Sequence, residues 1–516
     1  MDIGQIPTRN ARRYPKKEAI VDGDYRCTFL EFNNRVNRFS NSLLKLGLKK
    51  GDRVGILLRN YHEYIEILFS LAKRGLVAVP INSRLKEREV RYQLENSGSR
   101  VFIIGPEYIE IARKLKGDLS GIDLYITVRS FEDLMLNYEE LVVSGDATDS
   151  DMYIDENDII SIMYTSGTTG LPKGAIWTHR NILDTIFNLI VAYKTDSEDK
   201  SLILAPLFHG AITVPMLHQF FFLGATVVLY HKESLDPETV LGLIEKEKIT
   251  TTFMVPTMIE ALLEHPFMGK YNLSSLKDIK YSGAPTAINT IKKAIGTFGK
   301  IFYHAYGLTE ASGGVTFLKK EEHFLEGSEA QLKRLESAGK EYVNIHLRII
   351  DDDGKDVPIG CVGEIIVKGD KITKGYWNLP KETQESLRGG WFFTGDLGRL
   401  DEEGYLFIVG RKKDMIRSGG ENIYPAEIEE IVKTHPAVES VAVIGVPNKR
   451  WGEEVRAVVV LKKGTNATEE EIIELCKRNL ASYKKPKSVY FAESLPINEM
   501  GKVQKNILKE IYVKED

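Results

Sequence analysis

The chain has 516 residues, 43% of them apolar and 28% charged, a balance that suits a soluble globular enzyme and not a disordered or fibrous chain. Lysine and arginine number 69 against 73 aspartates and glutamates, so the formal charge of −4 offers nucleic acid no bulk attraction. The three cysteines, Cys27, Cys361 and Cys476, lie far apart without CxxC spacing, which argues against a disulfide framework and a thiolate zinc site.

The opening, MDIGQIPTRNARRYP, has no apolar h-region, so no signal peptide is expected. Thr28 and Glu31 form a capping-box pair ahead of Phe32, Val36, Phe39 and Leu43, which share one helical face, and Gly47 suits the stop. A strand over residues 53–58, a helix over 61–73 and a strand over 76–81 follow βαβ grammar and predict a parallel sheet covered by helices. The most membrane-like stretch, residues 209–230, is interrupted by Pro215, His218, Gln219 and Gly224, whereas a spanning helix needs about 20 apolar residues. It reads as a buried helix ending near Gly224 and then a buried strand, in a cytoplasmic protein. The αβ rhythm returns over residues 200–303, so two wound α/β subdomains are expected, and residues 319–340 read as a charged surface helix and loop. After about residue 340, HLRIID, GEIIVKG, GWFFTGD and GYLFIVGR are short strands between DDDG, RGG and DEEG turns, the pattern of a small antiparallel sheet or barrel. A compact α+β pattern begins at Arg411, with a second capping box at Thr468 and Glu471. The expected fold is thus α/β: a large domain, residues 1–410, of two wound subdomains plus a β-barrel-like sheet, and a small mobile α+β domain, residues 411–516.

The segment YTSGTTGLPKG, residues 164–174, packs three glycines, three threonines, a serine and a lysine into eleven positions after an apolar strand. Glycines turn N–H groups inward, the hydroxyls of Thr165, Ser166, Thr168 and Thr169 donate to phosphoryl oxygens, and Lys173 adds positive charge. A flexible surface turn has no need of so many hydroxyls. A Walker A loop is absent, since the fifth position after Gly167 is Pro172. In YGLTE, Tyr306 could stack on a purine, while Thr309 and Glu310 offer hard oxygens for magnesium; alone, the pentapeptide reads better as a capped helix start at Thr309. Asp396, in TGD, is either an acceptor for ribose hydroxyls or a turn-stabilising residue between strands. Arg411 follows in GRKKDMIRSGGENIYPAEIE, and Lys502 lies in the terminal GK segment.

Together and in this order, these segments resemble the adenylate-forming superfamily of acyl- and aryl-CoA synthetases, peptide-synthetase adenylation domains and firefly-type luciferases. The resemblance runs over essentially the whole chain, and KDMIRSGGENIYPAEIE with LPINEMGKVQK is most like bacterial and archaeal fatty-acyl-CoA ligases. It implies two half-reactions: a carboxylate attacks the α-phosphorus of ATP to give acyl-AMP and pyrophosphate, and the CoA thiol then displaces AMP. Magnesium and fixed cations must offset the charge that develops in the first step. The resemblance assigns Thr165 and Glu310 to magnesium and the residues Ser166, Gly167, Thr168, Thr169, Gly170 and Lys173 to the β- and γ-phosphates. Tyr306 would stack on adenine beside Gly283, Ala284 and Pro285, and Asp396 would bind ribose with Arg411 assisting. His304, Ala305, Gly307, Thr309, Lys413 and Arg417 complete the nucleotide set. Lys502 would reach the α-phosphate and carboxylate oxygens, with Thr309, Glu310 and His209 as its catalytic company. Lys413 occupies the hinge position, and Ser418, Gly419, Gly420 and Lys484 would meet CoA, with Lys485, Lys487 and Arg456 adding charge.

The acyl pocket is expected at Phe208, His209, Thr213, Val214, Met258 and Gly307. Relatives dedicated to acetate carry a tryptophan at the place of Gly307, so a longer acid is expected. Ala305 stands where malonate-activating relatives carry arginine, and Phe208-His209 offers no anion for an amino group. A medium- or long-chain fatty acid is therefore expected, with an aryl acid as the alternative and a non-CoA acceptor or a silent sensor as rivals. The N-terminal cluster Arg9, Arg12, Arg13, Lys16 and Lys17 could touch anionic lipid, though a solvated face is the simpler account. A monomer or homodimer acting on small molecules, and not on nucleic acid, is expected.

Overall fold

The computed structural model describes residues 1–165, 171–232, 234–266, 268–283, 286–418, 421–497 and 503–512. The chain divides into two compact units, one of Met1–Thr165, Pro172–His346 and Val367–Phe392 and the other of Leu347–Ile366 and Phe393–Asp516.

The first unit is built on two wound sheets. In one, Arg53–Leu57 pairs in parallel with Val77–Pro80 and with Ser99–Ile104, as the βαβ pattern predicted. Ile159–Thr165 and Lys173–Thr178 close that sheet as an antiparallel hairpin. In the other, Phe302–Leu308, Asp278–Tyr281, Thr251–Met254, Lys200–Ile203, Thr226–Leu229 and Glu18–Asp22 run parallel in that spatial order. Most residues of the inner strands are buried, as expected of a parallel sheet covered on both faces.

Local signals account for the helices. The Thr28 side chain accepts from the Glu31 N–H while the Glu31 carboxylate accepts from the Thr28 N–H, and the helix Phe29–Lys45 follows. Its Phe29, Phe32, Val36, Phe39 and Leu43 are fully buried, each contributing roughly 1.5–3 kcal/mol. The segment at 209–230 is helical to Leu223, and Gly224 ends it at φ +78° with the Tyr14 ring packed where a β-carbon would stand. Its middle, Thr213–His218, is a π-helix containing Pro215. A proline supplies no N–H to the usual ladder, and the wider turn accommodates that gap. Residues 319–340 include the exposed helix Glu329–Lys333, as expected, but His323 is fully buried, with its Nε2 3.1 Å from the Tyr281 hydroxyl and its Nδ1 2.9 Å from the Lys319 carbonyl.

In the second unit, Leu406–Arg411 pairs antiparallel with residues 396–400 of the strand Trp391–Leu400. Val438–Asn448 and Gly452–Leu461 form a long hairpin whose core includes Val443, Val455, Val459, Ile428 and Ile472. The helices Pro425–Lys433 and Glu469–Asn479 supply part of that core, the latter opened by the Thr468–Glu471 capping box. No helix among the described residues is long and apolar enough to cross a membrane.

Candidate active site

The hairpin in the first unit pairs Thr165 with Lys173, and the Thr165 hydroxyl donates to the Lys173 carbonyl at 3.3 Å. Ser166, Gly167, Thr168, Thr169 and Gly170, expected to meet phosphate, lie outside the described residues, as do Ala284 and Pro285. Beyond the hairpin, Lys173 Nζ stands 5.3 Å from the ring centroid of Tyr376. The Tyr376 hydroxyl donates to Glu310 Oε1 at 2.8 Å, so the expected phosphate lysine and metal carboxylate meet at one tyrosine.

Glu310 sits in a single 3-10 turn, Thr309–Ala311, following the strand Phe302–Leu308. The Thr373 N–H donates to the Glu310 carbonyl at 2.7 Å, and the indole N–H of the buried Trp177 donates to the Thr309 carbonyl at 2.8 Å. Neither Trp177 nor Tyr376 carried a motif signal; only the glycine and aromatic texture of KGYW marked the latter segment. A hydroxyl and a carboxylate at Thr165 and Glu310 are hard oxygen donors, the chemistry magnesium prefers. Tyr306 pairs with Thr316 in the adjacent strand, and Gly283 adopts φ +94°, open to the left-handed region that other residues avoid. His304 stacks on Tyr281 at 4.7 Å, and its Nδ1 lies 3.0 Å from the Ser337 carbonyl; burial lowers its proton affinity. Ala305 is paired with Phe317. Gly307 has a cause beyond pocket size: a β-carbon there would strike the carbonyl of Gly313 and the backbone of Gly314.

Among the acyl candidates, the Ala211 N–H donates to His209 Nδ1 at 3.1 Å, which caps a short turn and leaves the ring proton on Nε2 when neutral. Phe208 and His209 are half-buried. The Thr213 hydroxyl donates to the Leu207 carbonyl at 2.6 Å, Val214 is fully buried, and Met258 packs on the core that includes Ile259 and Tyr281.

In the second unit, Asp396 lies within a continuous strand rather than in the expected turn, and it is buried. The cause is the facing strand: Asp396 and Arg411, fifteen residues apart in the chain, pair directly, with Arg411 Nε 3.0 Å from Asp396 Oδ1. Lys412 bridges Asp352 and Glu364 at 2.8 and 2.9 Å. Burial lowers the pKa of Lys413, which sits in the single turn Lys412–Asp414. The Arg417 N–H donates to Glu453 at 2.8 Å, and Ser418 pairs with Gly452. Gly419, Gly420 and Lys502 lie outside the described residues, while Ile497 and Val503 are bridged antiparallel.

Two groups of basic residues are solvated only in part. Arg456, named with the CoA lysines, is buried, with its Nε on Ser488 Oγ at 3.0 Å and a further bond to the Tyr512 carbonyl, so it secures strand packing. Lys484 is held by both oxygens of Glu427, at 2.7 and 2.8 Å. The N-terminal cluster is also divided: Arg12, Arg13 and Lys16 are exposed, but Arg9 lies over the Phe222 ring at 4.4 Å and Lys17 pairs with Glu198 at 3.1 Å.

A second constellation, invisible to motif reading, joins Asp22, His62 and Glu63, whose ligand atoms all lie within 4.8 Å of one another. Arg129 occupies it, with Nη2 2.7 Å from Asp22 and Nε 2.7 Å from Glu63. Burial alone would raise Asp22, but hydrogen bonds from His62 and Arg129 outweigh it and bring the carboxyl to about 2. The guanidinium supplies the positive charge that a metal would bring, so this is an internal ion-pair network.

Residues 7–377 match the AMP-binding enzyme family and residues 427–502 match the AMP-binding enzyme C-terminal domain. A feruloyl-CoA synthase from an Amycolatopsis species is 38% identical over 503 residues, covering 98% of this chain and 97% of the relative. A long-chain-fatty-acid–CoA ligase of Mycobacterium tuberculosis is 34% identical over 513 residues, covering 99% and 98%. The crystal structure of an anthranilate CoA ligase, AuaEII, in complex with anthranoyl-AMP, superimposes with a TM-score of 0.89 at 27% identity, covering 99% of this chain and 97% of that one. With that likeness of sequence and fold over its whole length, the chain belongs to the AMP-binding enzyme family and is an acyl- or aryl-CoA ligase that uses ATP and Mg2+, with CoA as co-substrate.

Proposed function

We propose that the protein activates a monocarboxylic acid with an apolar tail, first as the acyl-adenylate and then as the CoA thioester. The observation that carries the reading is the junction at Tyr376, where Lys173 and Glu310 meet one side chain and Thr165 lies across the hairpin from Lys173. In this reading Thr165 and Glu310 hold magnesium, which when bound offsets the charge of the triphosphate. Residues 166–170 and Lys173 hold the β- and γ-phosphates. Tyr306 and Gly283, with Ala284, Pro285, His304, Ala305 and Gly307, line the adenine. Asp396 accepts from the ribose hydroxyls, and Arg411 keeps that carboxylate oriented through the 3.0 Å contact. Lys502 carries its charge to the α-phosphate, residues 1–410 and 411–516 act as separate functional domains, and Lys413 is the hinge between half-reactions. Ser418, Gly419 and Gly420 belong to the thiol step.

For the acid, Phe208, Thr213, Val214 and Met258 are uncharged, and His209 is the sole titratable member of the set. Such a surround disfavours dicarboxylates and amino acids and suits an apolar tail. We place an aryl or arylalkenyl acid first, because the feruloyl-CoA synthase is 38% identical and the anthranilate CoA ligase shares the fold closely. A medium- or long-chain fatty acid is the second reading, favoured by the mycobacterial ligase at 34% identity.

The test is pyrophosphate and AMP release across acids from acetate to palmitate together with benzoate and ferulate, each with and without CoA. The expected outcome is CoA-dependent AMP release with an aromatic acid, reduced about 10²–10³-fold by Lys502→Ala. A preference for palmitate moves the assignment to the second reading. Release of AMP without CoA dependence sinks the thioester assignment.

A further inference from the structure

Tyr376 stands where two opposite charges must be kept apart and in register. A carboxylate meant for magnesium and a lysine meant for phosphate attract each other, and a direct salt bridge would compete with both ligands. Tyr376 separates the two tasks. Its hydroxyl donates to Glu310 Oε1 at 2.8 Å, and a neutral donor orients a carboxylate without cancelling its charge. Its ring face receives Lys173 Nζ at 5.3 Å from the centroid, a cation–π contact that fixes the ammonium without consuming its donors.

The segment does not depend on that hydroxyl for its place. The Tyr376 N–H donates to Thr383 Oγ1 at 2.9 Å, the Ile176 N–H to the Gly375 carbonyl at 3.0 Å, and the Trp377 N–H to the Gly174 carbonyl at 2.8 Å. Backbone anchors therefore bind residues 375–377 to the strand Lys173–Thr178, leaving the side chain for the carboxylate and the lysine.

We infer that Tyr376 is a positioning residue for the adenylation step, its hydroxyl setting the orientation of Glu310 toward magnesium and its ring setting Lys173 toward the triphosphate. The inference rests on the magnesium and phosphate roles proposed above for Glu310 and Lys173, and it adds a residue outside the motifs that suggested them. A partner that orients a metal ligand typically shifts metal affinity by about 10–100-fold when removed.

The experiment titrates Mg2+ against a fluorescent ATP analogue bound to the full chain, without acid or CoA, so that binding and not turnover is read. Tyr376→Phe keeps the ring and every backbone anchor; its Mg2+ midpoint should rise about tenfold, with thermal unfolding of the free protein nearly unchanged. Glu310→Gln should raise the midpoint at least as far, and the double variant should be no worse than Glu310→Gln alone, because the hydroxyl acts through that carboxylate. Tyr376→Leu, which also removes the ring, should weaken analogue binding further. A wild-type midpoint in Tyr376→Phe beside a shifted Glu310→Gln overturns the role of Tyr376, as does full additivity in the double variant. A wild-type midpoint in Glu310→Gln instead overturns the metal role of Glu310. Should Tyr376→Phe not fold, Glu310→Asp asks the same question: it keeps the charge, retracts from the hydroxyl and should shift the midpoint upward; a wild-type midpoint there overturns the inference.

Discussion

At the scale of single residues, burial decides what each polar group can do. Lys371 is wholly buried, donates to the Gly314 carbonyl and faces the Tyr342 ring at 5.0 Å. Desolvation pushes its pKa down to about 7, against a partial opposing pull from Asp184. A lysine depressed in the folded state imposes its full cost below that value, because the unfolded chain holds the proton up to about 10.4. Stability should therefore rise as pH increases from about 7 toward 10. Lys371→Met should flatten that slope, changing the difference in Tm between pH 6.5 and 9.5 by about 2–4 °C; an unchanged profile would remove the lysine as its source. Gly307 teaches a related lesson. Its place in YGLTE suggested a pocket left open for a long acid, but the nearby Gly313–Gly314 backbone demands a glycine there on its own account. Strand pairing across a bulge is a tertiary fact that spacing cannot reveal.

At the scale of elements, what was legible was local. The capping boxes at Thr28 and Thr468 form as read, since cap and partner lie three residues apart and need no tertiary context. The tie between the helix His62–Lys73 and the segment after residue 145 was not legible. There Lys73, its side chain fully buried, donates to Thr8 Oγ1 at 2.7 Å, Asn33 Oδ1 at 2.9 Å and Asp149 Oδ1 at 2.6 Å. Burial raises the Asp149 carboxyl, but the bonds from Lys73, Thr8 and Asn37 together with the Lys73 charge outweigh it and bring the group to about 2. Asp149→Asn leaves the ammonium with neutral acceptors only, and urea unfolding should register a loss of about 2 kcal/mol, less than for a wholly buried pair because Asp149 is half exposed. A carboxylate depressed in the fold stabilises above its unfolded value near 3.9 and loses that contribution as pH falls toward 2. The same sign applies to Asp22 on Arg129, so acid unfolding should begin below pH 4, and Asp149→Asn should shallow the profile between 4 and 2.

At the scale of the whole molecule, the proposal that Lys413 is a hinge has a direct consequence. Proline there removes an N–H and restricts both its own φ and the residue before it. Lys413→Pro should keep at least half of the acid-dependent pyrophosphate release while CoA-dependent release of AMP falls more than tenfold, read in separate half-reaction assays; equal losses in both would count against a hinge. The chemistry of this enzyme class was legible in the chain because phosphate cradles, magnesium donors and caps are short segments whose residue types follow from the charge they must meet. So was the wound α/β plan, because hydrophobic periodicity is a local record of which face is buried. Tertiary structure alone decided that Asp396 faces Arg411 across two strands, that Arg456 is buried beside Ser488, that Arg129 fills the Asp22–His62–Glu63 cluster, and that Tyr376 joins Lys173 to Glu310. Each of these contacts joins residues fifteen to more than two hundred positions apart, and only strand register and side-chain packing determine which distant residues share a few ångströms of space.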